Sequence, residues 1–450
     1  MPSTIKIKRG LDIPIHGKVE STQAEDRLSI ENVAVLPPEF HGIKVKLLAE
    51  EGSDVRAGQP IFADRRDESI LFTAPATGRL TAVERGARRA PLAMRIAVTD
   101  WNDAGDFDAL NPLQAEAQAV RERLMASGLW TKIRRRPFDS IARSDDQPVG
   151  IVVTCADSRP LAASPRSLLE GRETQFQAGL QVLRRLSDAK VHMAARQGDD
   201  WSRFISEGVE LESFDGPHPC GNAGVAIHHL CPVGSGRVAW HVGAQDVADI
   251  GEFFLTGKLP RTRTVALTGP AATNPRLVRT RPGADLGELL VSESSAADPR
   301  YVDGSALDGR TAVVGEPSGF LGHFSSQVTI LEDAVERLML GWMSPIMGRY
   351  SLTNTLLDKF FRKRFNFDTD TNGSLRAIVP IGVYEKVMPM DILPTPLIKA
   401  LASHDMENSE KLGVLELAEE DLALCEFVDP CKLPISEMLR EMLTQIEKEG

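Results

Sequence analysis

The chain has 450 residues, of which 42% are hydrophobic, 26% charged and 6% aromatic, and its formal net charge is -11. That length is too great for one hydrophobic core and predicts several domains, while the composition excludes a disordered or fibrous chain. The acidic balance argues against nucleic-acid binding, which needs a basic face.

The opening residues include Lys6, Lys8 and Arg9 but no apolar run behind them, so no secretory signal is read there. Strands follow over 44–47, 60–62, 70–72 and 80–83, punctuated by Gly52, Gly58, Pro75 and Gly78. The run Gly52-Ser-Asp-Val-Arg-Ala-Gly58-Gln-Pro60, with Ala74-Pro-Ala-Thr-Gly78 after it, resembles the barrel-sandwich hybrid of biotinyl and lipoyl domains. A carrier domain of that kind presents a lysine on the hairpin between these motifs. Here the hairpin reads Asp64-Arg-Arg-Asp-Glu-Ser69, so a scaffold is expected instead.

From Asp103 the pattern changes. A helix is predicted over 116–127 with Ala117, Val120 and Leu124 on one face, then a buried-type strand over 151–154. A long helix over 168–186 with the stripe Phe176, Leu180, Leu183 and Leu186 leads to a strand over 191–194. Strand, helix, strand in that order predicts an α/β unit with a parallel sheet. Strands return over 264–268 and 276–280, followed by Gly283 and a short helix over 285–290, a pattern like a β-grasp module. After about Gln327 the chain reads as helical, with one helix over 328–339. The tail from Pro434 places Ile435, Met438, Leu439, Met442 and Ile446 at helical spacing.

No stretch reads as a membrane span. Residues 217–236 are uncharged but hold prolines, glycines and three histidines, and the apolar stretch 338–348 is about half a span. The five cysteines, Cys155, Cys220, Cys231, Cys425 and Cys431, form no CxxC pair and are expected to be reduced thiols. His218, Cys220, His228, His229 and Cys231 suggest a metal at first sight. Their spacing and the stiffening prolines do not suit zinc, so a structural loop is expected and no metal ligand is assigned. No Ser–His–Asp pattern, P-loop or intact GxGxxG is present, and no catalytic or cofactor-binding residue is assigned.

Several stretches together are similar to the A subunit of the sodium-translocating NADH:quinone oxidoreductases. They are Lys8-Arg-Gly-Leu-Asp-Ile-Pro14, Phe72-Thr-Ala-Pro75, Ser127-Gly-Leu-Trp-Thr131, Arg136-Pro-Phe138, Phe214-Asp-Gly-Pro-His-Pro219, Asn274-Pro-Arg-Leu-Val-Arg-Thr280, Asn372-Gly373, Val379-Pro-Ile-Gly382, Val387-Met-Pro389 and Ile446-Glu-Lys-Glu-Gly450. The family resembles the C subunit of the Rnf complex and the NADH-binding flavoprotein subunit of complex I. The resemblance implies a multi-domain α/β and α+β chain. Its expected units are a barrel-sandwich hybrid (1–102), a degenerate Rossmann-like flavoprotein domain (103–258), a β-grasp domain of the soluble-ligand-binding type (259–327) and a helical domain resembling an iron–sulfur domain without its cluster (328–450).

Three departures from those relatives stand out. Where they carry a glycine-rich phosphate loop, this chain reads Gly128-Leu-Trp-Thr-Lys-Ile-Arg-Arg-Arg-Pro-Phe138, with one glycine left. The chain then has either a helix end with a solvated charge run or a patch that meets quinone, lipid or an acidic partner. Where they carry an acidic segment, this chain has Cys155-Ala-Asp157-Ser-Arg159. Where they carry cluster cysteines, only Cys425 and Cys431 remain, with Asp429 where many members place a cysteine. Trp130, Arg134, Arg136, Phe138 and Asp157 are therefore the candidate quinone-binding or partner-facing residues. The resemblance further implies a peripheral subunit on the cytoplasmic side of the bacterial inner membrane, beside mainly membrane-embedded subunits. The whole complex would use NADH, FAD, FMN, riboflavin, iron–sulfur centres and ubiquinone, none of the redox groups being bound in this chain.

Overall fold

A computed structural model describes residues 4–333, 350–352, 363–371 and 373–449. The apolar stretch 338–348, the end of the helix expected over 328–339, and Asn372 lie outside them.

Its centre is a seven-stranded sheet in the order Thr4–Lys6, Val209–Asp215, Val191–Arg196, Ile151–Cys155, Ala239–Gly243, Arg134–Arg136, Ser140–Ile141. The first five strands are parallel, Arg134–Arg136 runs antiparallel to Ala239–Gly243, and Ser140–Ile141 is antiparallel to Arg134–Arg136 in turn. Both faces of this sheet are covered, which explains the unbroken apolar strands. Ile151, Val153 and Met193 point into one core with Phe176, Leu180 and Leu183 of the helix Glu173–Leu186. Val152, Ala194 and Phe214 point into a second core with the C-terminal helices Glu419–Val428 and Ile435–Glu449. Alternation along each strand thus serves two cores at once. The helix Glu173–Leu186 lies directly on the helix Ala244–Thr256, where Gly179 and Gly251 let the backbones meet. A Cβ on Gly179 would stand 1.9 Å from the Val247 carbonyl oxygen.

The barrel-sandwich region consists of a four-stranded and a three-stranded sheet, and Phe62 stacks on Phe72 at 4.3 Å inside it. The Asp64–Asp67 hairpin does not project as a carrier arm would. The Asp67 carboxylate accepts a hydrogen bond from the Ser144 backbone N–H, which docks the hairpin on the α/β unit. Among the described residues a six-stranded sheet completes the β structure: Arg310–Ala312, Pro299–Asp303, Gln327–Glu332, Arg263–Thr268, Arg276–Thr280, Ala24–Asp26.

Several expectations are corrected. Residues 327–332 form a strand and not the start of a helix, because Gln327–Glu332 is the central partner of Arg263–Thr268 and Pro299–Asp303. A unit boundary after 327 would therefore cut through a sheet. A unit of 1–102 likewise crosses sheet membership, since Thr4–Lys6 belongs to the seven-stranded sheet and Ala24–Asp26 to the six-stranded one. The helix expected over 168–186 is broken. Pro165–Leu168 is one short turn, the chain reverses at Gly171 with φ +76°, and the long helix starts at Glu173. Ala117 is exposed, although Val120 and Leu124 are buried as expected. The uncharged stretch 217–236 contains a helix, Ala223–Leu230, in place of the expected loop.

Candidate functional site

The strand order reverses beside Ile151–Cys155. The chain proceeds outward through Val191–Arg196 and Val209–Asp215, then returns to add Ala239–Gly243 on the other side. Such a switch point opens a crevice at the carboxyl ends of the strands, where open α/β sheets bind ligands. A cleft of about 920 Å³ lies there, with Thr154, Ala156 and Asp157 beyond one strand and Gly243, Gln245 and Asp246 beyond the other. The other regions contribute walls: Glu39 and His41 from the barrel-sandwich region, Arg263, Asp303 and Arg310 from the six-stranded sheet, and Glu419, Glu420 and Arg440 from the C-terminal helices.

Charges in the cleft are paired in clusters. Asp246 Oδ1 sits 3.1 Å from Lys132 Nζ and 2.8 Å from Arg263. Burial alone would raise its carboxyl, but Lys132 and Arg263 hold it well below the usual carboxylate range. Arg136, fully buried, pairs with Asp421 at 2.9 Å, Glu420 at 3.0 Å and Asp139 at 3.3 Å. Asp139 also meets Arg134 at 3.1 Å and His241 Nε2 at 2.8 Å. Burial, with Arg134 beside it, pushes His241 down to about 4, so its imidazole is neutral. Asp303 pairs with Arg310 at 2.7 Å, and Glu39 lies 3.9 Å from the same guanidinium. Burial, reinforced by the Asp303 charge, raises Glu39 to about 7. Glu420 rises to about 7 through burial and the Asp421 charge. The cleft thus presents two carboxyl groups whose proton affinity is raised into the neutral range.

Beside Glu39 and Lys132 the surface changes character. A crevice of about 100 Å³ runs between the barrel-sandwich region and the six-stranded sheet, lined by Val35, Phe40, Phe72, Pro75, Leu129, Leu259, Pro260 and Leu321. Cleft and crevice share Leu36, Glu39, Lys132 and Arg263 as walls.

The candidate residues divide between these surroundings. Arg134 and Asp157 line the cleft. Arg134 lies over the Phe324 ring at 4.6 Å, and Asp157 pairs with Arg159 at 2.6 Å. Trp130 is in the core, which corrects its reading as a contact aromatic. Its indole N–H donates to the Ala142 carbonyl at 2.7 Å and its ring meets Trp240 edge-on. Arg136 is sequestered in its carboxylate cluster and presents nothing to a partner. Phe138 is half-buried against the second core, and its carbonyl accepts from Arg440. The basic run 134–136 is neither a helix end nor a solvated patch. It is a strand paired with Ala239–Gly243, and each arginine finds a carboxylate. Gly128 caps the preceding helix with φ +78°, and a Cβ there would lie 2.5 Å from Thr73 Oγ1, so this glycine serves packing.

The residue pattern alone did not point to Glu39, Lys132, Asp246, Arg263, Asp303 or Arg310 as site residues. Each is an isolated charge in its own segment, and only Lys132 carried a signal, as part of the basic run. In the tail, Asp429 accepts hydrogen bonds from the Cys431 and Leu433 N–H groups and the Tyr384 hydroxyl. The histidines and cysteines of 218–231 do not converge. His218 Nδ1 pairs with Ser158 and His228 Nδ1 with Glu416.

Fold and cleft define a multi-unit α/β chain with a ligand crevice at its topological switch point, and among the described residues no helix is long and apolar enough to cross a membrane. Three family models match it: the NqrA N-terminal barrel-sandwich hybrid domain over residues 5–99, the NqrA second alpha/beta domain over 115–259 and the NQRA C-terminal domain over 264–313. The chain is 42% identical over 451 residues to the A subunit of the Na(+)-translocating NADH-quinone reductase of Serratia proteamaculans, covering 99% of this chain and 100% of that protein. It is 43% identical over 450 residues to the Hahella chejuensis counterpart, with the same two coverages. The chain belongs to the A-subunit family of the Na(+)-translocating NADH-quinone reductases.

Proposed function

We propose that the chain is a peripheral subunit of a Na(+)-translocating NADH-quinone reductase, and that its own contribution is to the quinone-reduction step and to assembly. In this reading the complex oxidises NADH, reduces ubiquinone to ubiquinol and exports Na⁺. The chain sits on the cytoplasmic side of the membrane against membrane-embedded subunits. The observation that carries the quinone role is the charged cleft adjoining an apolar crevice. A quinone has a polar ring and an apolar tail, and the two surfaces suit the two parts. Glu39 stands at their junction, and a protonated carboxyl there can donate a hydrogen bond to a quinone carbonyl.

The same reading relates the chain to the C subunit of the Rnf complex and to the NADH-binding flavoprotein subunit of complex I, with Rossmann-like and β-grasp units that have given up their cofactors. FAD, FMN, riboflavin and iron–sulfur centres then belong to other subunits. Three observations favour this over a flavin-bearing electron-entry role. The remaining loop glycine backs onto Thr73, the loop aromatic Trp130 fills the core, and the Asp429 carboxylate is occupied by a hydroxyl and two backbone donors. Photolabelling of the assembled complex with a photoreactive ubiquinone tests the quinone role. Label displaced by ubiquinone is expected on peptides containing Glu39–Phe40, Lys132 or Leu321–Phe324. Label found solely on other subunits would remove the quinone role from this chain.

A further inference from the structure

The parallel sheet has a second cluster of polar side chains, at the amino ends of its strands, opposite the cleft. His192 on Val191–Arg196 stands directly beside Glu210 on Val209–Asp215. Glu212, two residues on, shares the face of Glu210. One ligand atom from each of the three lies within 4.8 Å of the other two. We propose that His192, Glu210 and Glu212 bind a divalent first-row transition-metal ion.

Three features point to a metal and not to an ordinary ion pair. First, His192 is nine-tenths buried, and its Nδ1 makes no hydrogen bond. That nitrogen faces Glu210 Oε2 at 3.3 Å, so it is aimed into the cluster without being satisfied by it. Second, the carboxylates of Glu210 and Glu212 share the face of that nitrogen, so the cluster offers a cation one imidazole nitrogen and two anionic oxygens. Third, a cation already takes part: Lys190 Nζ sits 2.7 Å from Glu210 Oε1, on a side chain that is largely exposed and free to swing away. The exposed side of Glu210 gives the ion an entry path.

The donor set selects the metal. One imidazole nitrogen with two carboxylate oxygens suits Zn²⁺, Fe²⁺, Co²⁺ or Mn²⁺, whereas Mg²⁺ and Ca²⁺ prefer oxygen donors alone. The three ligands come from two adjacent, paired strands, so their backbone positions are fixed before the ion arrives. Water would complete the coordination shell.

The test is a titration of the full-length chain, free of any histidine tag and stripped with chelator, using Zn²⁺ in competition with a chromogenic chelator. One equivalent is expected to bind, and the Glu210→Gln, Glu212→Gln double variant is expected to lose affinity by about tenfold or more. His192→Ala is expected to abolish that equivalent, with an unchanged circular dichroism spectrum as the check on folding. Lys190→Met removes the competing ammonium and is expected to tighten binding. Co²⁺ serves as the spectroscopic probe, and visible bands without a thiolate-to-cobalt band are expected from nitrogen and oxygen ligands. Absence of stoichiometric Zn²⁺ binding overturns the site. So does Zn²⁺ affinity unchanged in the carboxamide double variant, a thiolate band with Co²⁺, or a Lys190→Met variant that binds no tighter.

Discussion

Asp246 and Glu39 line one cleft from different parts of the molecule, and each has an arginine nearby, yet their carboxyl groups are shifted in opposite directions. Burial pushes both carboxyl groups the same way, towards protonation. The outcome turns on the neighbours. Asp246 has two cations in contact, Lys132 at 3.1 Å and Arg263 at 2.8 Å, the second of which also faces Asp249 at 3.8 Å, and it stays ionised. Glu39 shares Arg310 with a second carboxylate, Asp303, and the shortage of positive charge is met by a proton. One wall of the cleft is therefore a fixed ion cluster and the other an adjustable one.

The largest effect is expected at the fixed cluster. Asp246→Asn leaves Lys132 and Arg263 buried without their main counter-charge, and the loss is expected to be about 3–5 kcal/mol in urea unfolding. Arg310→Met on the adjustable side is expected to cost less, about 1–3 kcal/mol at neutral pH, because Glu39 and Asp303 can take up a proton. That cost should shrink as the pH is lowered, whereas the cost of Asp246→Asn should not. The smallest effect is expected from Glu39→Gln, about 1 kcal/mol or less at neutral pH. Its signature is a slope. Glu39 binds its proton more tightly folded than unfolded, so its contribution to stability is fully present below pH 4.5 and is lost as the pH rises to about 7. The glutamine variant should lack that part of the pH dependence. If its pH profile matches that of the parent chain, Glu39 is ionised in the cleft and the contrast with Asp246 fails.

Local pattern carried much of the fold. The tail helix Ile435–Glu449 buries Ile435, Leu439, Met442 and Ile446 from its predicted stripe, and the strands 151–155 and 191–196 follow from apolar runs. The failures have physical causes. Three consecutive arginines do not look like a strand, and become one because Asp139 and Asp146 fold back from the following loop and Asp421 arrives from the C-terminal helices to neutralise them. The helix Ala223–Leu230 has only eight residues and its own glycine at 224, which packs against the Asp421 carboxylate. Of the site, only Arg134 and Asp157, with Lys132 as part of the basic run, were legible, since they lie in stretches whose composition differed from the related families. Glu39, Asp303 and Arg310 lie far apart along the chain and acquire meaning only where three regions converge.

The pairing of Thr4–Lys6 with Val209–Asp215, and of Ala24–Asp26 with Arg276–Thr280, has a consequence for how the protein is made. Both short strands leave the ribosome long before the strands they join. At ordinary elongation rates the first waits about 10–40 s for its partner. The N-terminal stretch can therefore fasten the two sheets only after both partner strands have emerged, and a leading fusion that hinders it would leave the two sheets untied.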